Sequence, residues 1–68
     1  MVTNALPYTL PPRRKAAGLT VKEAAEKIHI PYRTYEAWEY GTREPHATEI
    51  NTLADLYGCT TDELLRLK

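Results

Sequence analysis

The segment TVKEAAEKIHIPYRTYEAWEYG, Thr20 to Gly41, carries two short amphipathic helices separated by a proline-marked break. Thr20 and Glu23 form a capping box, in which each side chain satisfies the other residue's free backbone N–H. Ala24, Ala25 and Ile28 then lie on one face at helical spacing, so a helix is expected over about residues 21–28. Pro31 cannot continue that helix, because a helix interior needs its missing N–H, but it can open a new one. The next helix runs from about Pro31 to Tyr40. Tyr35 and Trp38, three apart with Glu39 beside them, mark its buried face. Tyr32, Arg33, Glu36, Ala37 and Tyr40 lie away from it, and Gly41 stops it. So short a link forces a sharp crossing of the two helices. Ala25 supplies the small side chain needed where the backbones meet. The turn calls for one residue at positive φ, and His29 stands there; histidine is among the few non-glycine residues enriched in that region.

Working outward, a preceding helix is expected to start at Pro11 or Pro12, to pass through Arg13, Arg14, Lys15, Ala16 and Ala17, and to end at Gly18. Residues 1–9 have no helical periodicity and no Lys or Arg, and read as an extended tail ahead of a folded domain over 10–68. On the other side, Thr42 to His46 forms a loop containing Pro45. Ile50, Leu53, Ala54 and Tyr57 follow the i, i+3, i+4, i+7 rule of a helix over about 47–57, which Gly58 ends. Thr60-Thr61-Asp62-Glu63 is a second capping box. It opens a fifth helix with Leu64 facing inward and Leu65 and Leu67 available for a homodimer seam. The reading is an all-α domain of five helices, without internal repeats.

Composition narrows the function. A chain of 68 residues holds one domain, near the lower limit for a self-sufficient core. Its 43% apolar content, with five Tyr, one Trp and no Phe, allows that core but leaves no room for a deep substrate cavity. Nine basic and nine acidic residues give zero net charge, which opposes strong nonspecific binding to nucleic acid while leaving a local basic face open. The single cysteine, Cys59, excludes an internal disulfide, suits a reducing compartment and reads as a small apolar residue behind the fourth helix. With His29 and His46 it does not make up a zinc ligand set. The chain lacks serine, and no histidine is spaced to activate Cys59, so no catalytic residue, cofactor or metal is expected. Neither a membrane-length apolar run nor a signal peptide is visible, and the expected location is the cytoplasm.

Arg14, Gly18-Leu19-Thr20, Ala25, Ile28, Ile30, Trp38-Glu39, Gly41, Arg43, Pro45, Leu53-Ala54 and Gly58 follow one another at characteristic spacings. Through them the stretch from Arg14 to Leu64 resembles the lambda repressor/Cro-type (Xre-like) helix-turn-helix family of DNA-binding domains. That resemblance implies a compact five-helix fold, and a transcriptional regulator, commonly a repressor of phage or prokaryotic type, that binds double-stranded DNA as a homodimer. It places Tyr32, Arg33, Glu36 and Ala37 opposite base edges. It places Thr20, Val21 and Lys22, and after the third helix Tyr40, Thr42 and Arg43, opposite phosphates. It makes Arg14 and Glu39 a structural ion pair between the first and third helices. General chemistry is compatible with these roles: helix N-termini offer N–H groups to anions, and a helix fits the major groove. This chain departs from the family at Val21, where Gln is frequent, at His29 in place of glycine, at Tyr35 in place of Ile or Val, and in having no Asn or Gln on the third helix to read adenine. Zero net charge, Glu26 and Glu36 beside the same face, and exposed tyrosines support an alternative: a protein-interaction module or antitoxin-like partner on the same fold.

Overall fold

Five α-helices make up the computed structural model, which describes residues 5–66: α1 (Leu6–Ala16), α2 (Val21–Lys27), α3 (Tyr32–Tyr40), α4 (Ala47–Tyr57) and α5 (Thr61–Leu65). Among the described residues there is no strand. Helix α1 packs on α3 and α5, α2 on α3, and α4 on α5.

The first helix begins earlier than proline placement predicts. Residues 6–9, expected in an extended tail, belong to α1, and Ala5 and Leu6 are buried; residues 1–4 lie outside the described residues. Pro7 sits in the first helical turn, whereas Pro11 and Pro12 fall inside the helix. There each removes an N–H from the helical ladder. The stripe Leu6, Leu10, Arg14, at i, i+4, i+8, explains why the helix persists. Leu6 and Leu10 are fully buried against the core, and Arg14 continues the same face toward α3. Thr9 adds a lateral tie, its hydroxyl donating to the Leu64 carbonyl at 2.8 Å.

The α2–α3 unit is built as its residues require. Thr20 caps α2, accepting from the Glu23 N–H at 3.1 Å, while Glu23 accepts from the Thr20 N–H at 2.8 Å. These bonds hold the Glu23 carboxyl below its ordinary pKa. Ala24 and Ala25 are buried beneath α3. The chain turns at His29 with φ +60°, the only described non-glycine residue at positive φ. The turn closes when the Ile30 N–H returns to the Ala25 carbonyl at 3.1 Å. At the far end of α3, Gly41 adopts φ +82°, and a Cβ there would stand 3.0 Å from Pro7 Cγ. That glycine therefore serves both the left-handed cap and the close passage of α1.

The core gathers Leu6, Leu10, Ala24, Ala25, Tyr35, Trp38, Leu53, Ala54 and Leu64, with Cys59 packed at its margin. Trp38 meets Tyr35 edge-on, ring centroids 6.1 Å apart. Glu39 is the one buried charged residue among those described. Arg14 grips it through Nε at 2.7 Å and Nη2 at 3.3 Å, and donates a third bond to the Leu19 carbonyl at 3.0 Å. The Glu39 carboxylate raises the pKa of the Arg14 guanidinium further.

Two stability measurements check this architecture. Leu6→Ala should lower unfolding free energy by about 2–5 kcal/mol, the usual range for a buried leucine; an unchanged denaturation midpoint would return residues 5–9 to a dispensable tail. His29→Gly should raise the melting temperature by several degrees, because relieving a left-handed side chain is worth about 1–2 kcal/mol, less the added entropy of glycine in the unfolded chain. A lower melting temperature would mean that the imidazole makes a compensating contact.

Candidate nucleic-acid interface

With Tyr35, Trp38 and Glu39 turned inward, the opposite side of α3 is presented to solvent. Tyr32 and Arg33, in its first turn, are exposed, and Glu36 and Ala37 are half-buried one turn later. The N-cap of α3 is Pro31, which places no side chain over the first N–H groups, and no acid stands in the first turn. An anion approaching this end meets partial positive charge without competition from a carboxylate.

Contacts across the α2–α3 angle then organise that end. The Lys22 ammonium, in the first turn of α2, lies over the Tyr32 ring, 5.3 Å from its centroid. On the other side, the Tyr32 hydroxyl is the main cause of an upward shift in the Arg33 pKa. The Tyr32 ring thus meets the α2 cation Lys22 at an exposed place, with Arg33 next along α3. The sequence offered Lys22 and Tyr32 for separate roles; their contact spans the turn and depends on the helix crossing angle. Of the other residues at the start of α2, Thr20 is exposed but committed to the capping box, and the Val21 side chain packs against the core. Only the backbone of Val21 faces outward chemistry.

At the C-terminal end of α3, the Ala37 carbonyl accepts from the backbone N–H groups of Gly41, Thr42 and Arg43 at 2.9, 3.0 and 3.4 Å. This gathers the loop into a fixed turn. Tyr40, 72% exposed, and the exposed Thr42 and Arg43 stand on its outer side. Arg14 and Glu39, by contrast, are internal to the α1–α3 contact and are not part of the exposed face.

Zero net charge conceals a segregation along the chain. Residues 1–43 contain seven Lys or Arg and four Asp or Glu, a balance of +3; residues 44–68 contain two and five, a balance of −3. Arg14 and Glu39 cancel each other in the interior. The excess ahead of residue 44 comes from Arg13, Arg14 and Lys15 of α1; over residues 20–43 Lys22, Lys27, Arg33 and Arg43 are matched by Glu23, Glu26, Glu36 and Glu39. Elsewhere, an open groove of about 660 Å³ runs between α1 and α5, lined by residues such as Tyr8, Pro12, Arg13 and Glu63 and by none from α2 or α3. Burial raises the Cys59 pKa, opposite to what an activated thiol needs. Among the described residues no group of His, Cys, Asp and Glu could hold a metal ion, and no helix is long and apolar enough to cross a membrane.

The helix-turn-helix family profile matches residues 13–64, a span running from the second half of α1 to Leu64 in α5. The chain belongs to the Cro/C1-type helix-turn-helix family. Its sequence is also 40% identical over 52 residues to the HTH-type transcriptional regulator ImmR of Bacillus subtilis (strain 168). That match covers 76% of this chain but 41% of the relative, so the chain spans about two fifths of the length of the curated protein it resembles. Within this helix-turn-helix domain, the first turns of α1 lie outside the family match, yet they supply Leu6 and Leu10 to the core.

Whether the cations of α2 and α3 form an anion-binding face can be tested without knowing any ligand. At about 50 mM salt this electroneutral domain should be retained on an immobilised polyanion such as heparin, since local cations release condensed counterions. Lys22→Ala combined with Arg33→Ala should elute clearly earlier. Equal elution of both proteins would remove the α2–α3 face as the polyanion surface.

Proposed function

We propose that this domain reads duplex DNA by laying α3 in the major groove, as the DNA-binding part of a cytoplasmic transcriptional regulator of repressor type. The observation that carries the reading is the exposed start of α3, where the Lys22 ammonium lies over the Tyr32 ring, Arg33 follows, and the first turn holds no acid. The name of the Bacillus subtilis relative, a transcriptional regulator, supports it, as does membership in the helix-turn-helix family.

In this reading Arg33 takes guanine O6 and N7 with its planar fork, Glu36 accepts from cytosine N4, and Ala37 touches a thymine methyl. Tyr32 meets a base edge or phosphate with the Lys22 ammonium over its ring. Lys22, the Thr20 hydroxyl and the Val21 N–H grip phosphate at one end, and Tyr40, Thr42 and Arg43 do so at the other. The turn on the Ala37 carbonyl sets Arg43 just beyond the end of α3. A homodimer would set two such helices one turn of duplex apart, ~34 Å. Leu65, 44% exposed on α5, is offered as part of its seam; Leu67, assigned to the same seam, lies outside the described residues.

Selection from random duplexes at low salt tests binding and base preference together. An enriched motif with affinity falling steeply as salt rises is expected. Absence of duplex binding even at low salt would overturn the proposal in favour of a protein-interaction module on the same fold. On the selected duplex, Arg33→Ala should weaken binding and broaden preference at one position. Arg43→Ala should weaken binding to all sequences alike and reduce the salt slope by about one. A selective loss from Arg43→Ala would contradict its phosphate role.

A further inference from the structure

Beneath the exposed face, the Tyr35 hydroxyl meets the Tyr57 hydroxyl at 2.5 Å, joining the inner side of α3 to the last turn of α4. Tyr35 is fully buried and Tyr57 half-buried. Glu39, one turn further along α3, is held from the other side by Arg14. The same helix face is thus fixed by directional bonds to α1 and to α4, both made through polar groups at the edge of an apolar core.

We propose that Tyr57 is a positioning residue for α3: its bond to Tyr35 sets the roll of that helix and so the aim of Arg33, Glu36 and Ala37. This rests on the DNA-reading function proposed above. Apolar packing around Trp38 opposes separation of the helices but is tolerant of small rotations, whereas a hydroxyl pair is directional. A roll of about 10° on a side-chain radius of ~5–6 Å moves the outer atoms by about 1 Å. That displacement exceeds what a site held to within ~0.5 Å tolerates. An aliphatic side chain at position 35 could fill the core but could not make this bond. The pair also brings little stability that two apolar rings would not bring, so its directionality is the property left to explain. Burial raises the pKa of both phenols, so each keeps its proton and either can donate across the neutral range.

The test uses Tyr35→Phe, Tyr57→Phe and the double variant, each followed by thermal unfolding and by the ratio of affinities for the selected and an unrelated duplex. Tyr57→Phe should melt lower, because the fully buried Tyr35 hydroxyl loses its partner; Tyr35→Phe should melt lower by less, because the half-buried Tyr57 hydroxyl can reach water. The double variant leaves no such orphan and should recover most of the melting temperature. Its preference for the selected duplex should nevertheless stay reduced about fivefold, the equivalent of one hydrogen bond, with affinity for the unrelated duplex unchanged. Recovery of both stability and preference would overturn the positioning role. If the wild type shows no duplex preference, the DNA-reading proposal fails, and the positioning claim is decided on the free protein. NMR relaxation dispersion should then show microsecond-to-millisecond exchange in Tyr32–Tyr40 of the double variant that the wild type lacks. A quiet α3 there would overturn it.

Discussion

Burial of the Glu39 carboxylate in a small apolar core is the constraint that orders the rest of this domain. A carboxylate cannot stay there alone, so α1 must deliver Arg14 to it, and does so through Nε at 2.7 Å. Delivering Arg14 requires α1 to lie along α3, which in turn buries Leu6 and Leu10 on the same stripe. The passage of α1 then brings Pro7 against Gly41, at the end of α3. Breaking such a pair from one side typically costs ~3–5 kcal/mol, a large part of the stability of a domain this size. The pair is better understood as a geometric requirement than as a net source of stability. With its inner face committed to Arg14, the core and Tyr57, α3 has one orientation available, and its other side is left for an outside partner.

In the proposed reading, that side meets DNA through individual cations, not through total charge. Lys22 lies over the Tyr32 ring, beside Arg33, although the chain as a whole is electroneutral. The excess acid lies later in the chain, where Glu49 and Glu63 accept from the backbone N–H groups of His46 and Thr60 at the starts of α4 and α5. Several of those acidic residues therefore have folding roles; within residues 20–43 the four Lys or Arg are matched by four Glu, one of which, Glu39, is paired with Arg14 in the interior. Long-range attraction to an anionic polymer would be modest and short-range orientation strong, a balance that favours discrimination over tight nonspecific binding.

Much of the fold was legible in local sequence patterns. The Thr20/Glu23 and Thr60/Glu63 boxes fixed two helix starts, the spacing of Ile50, Leu53, Ala54 and Tyr57 fixed a third helix, and His29 was identified as the positive-φ residue. Proline placement alone puts the start of the first helix too late. Leu6 and Leu10 were already spaced i, i+4, but Pro11 and Pro12 suggested a start where the structure has a helix interior. Tertiary burial overrode the local rule there. The outward residues of α3 could be sorted from the inward ones by periodicity alone. The Lys22–Tyr32 contact and the Tyr35–Tyr57 bond could not, since one crosses a turn and the other joins residues 22 apart. Both depend on helix crossing geometry, which no local pattern specifies.

The central claim, that the inner anchoring of α3 presents one face to duplex DNA, is tested most directly by a residue-resolved NMR titration with a selected duplex. Amide signals of Val21, Lys22, Tyr32, Arg33, Glu36, Ala37, Thr42 and Arg43 should shift together and saturate with one affinity, while those of the groove between α1 and α5 stay in place. Shifts confined to the α1–α5 groove, or none on α3 at low salt, would contradict the account.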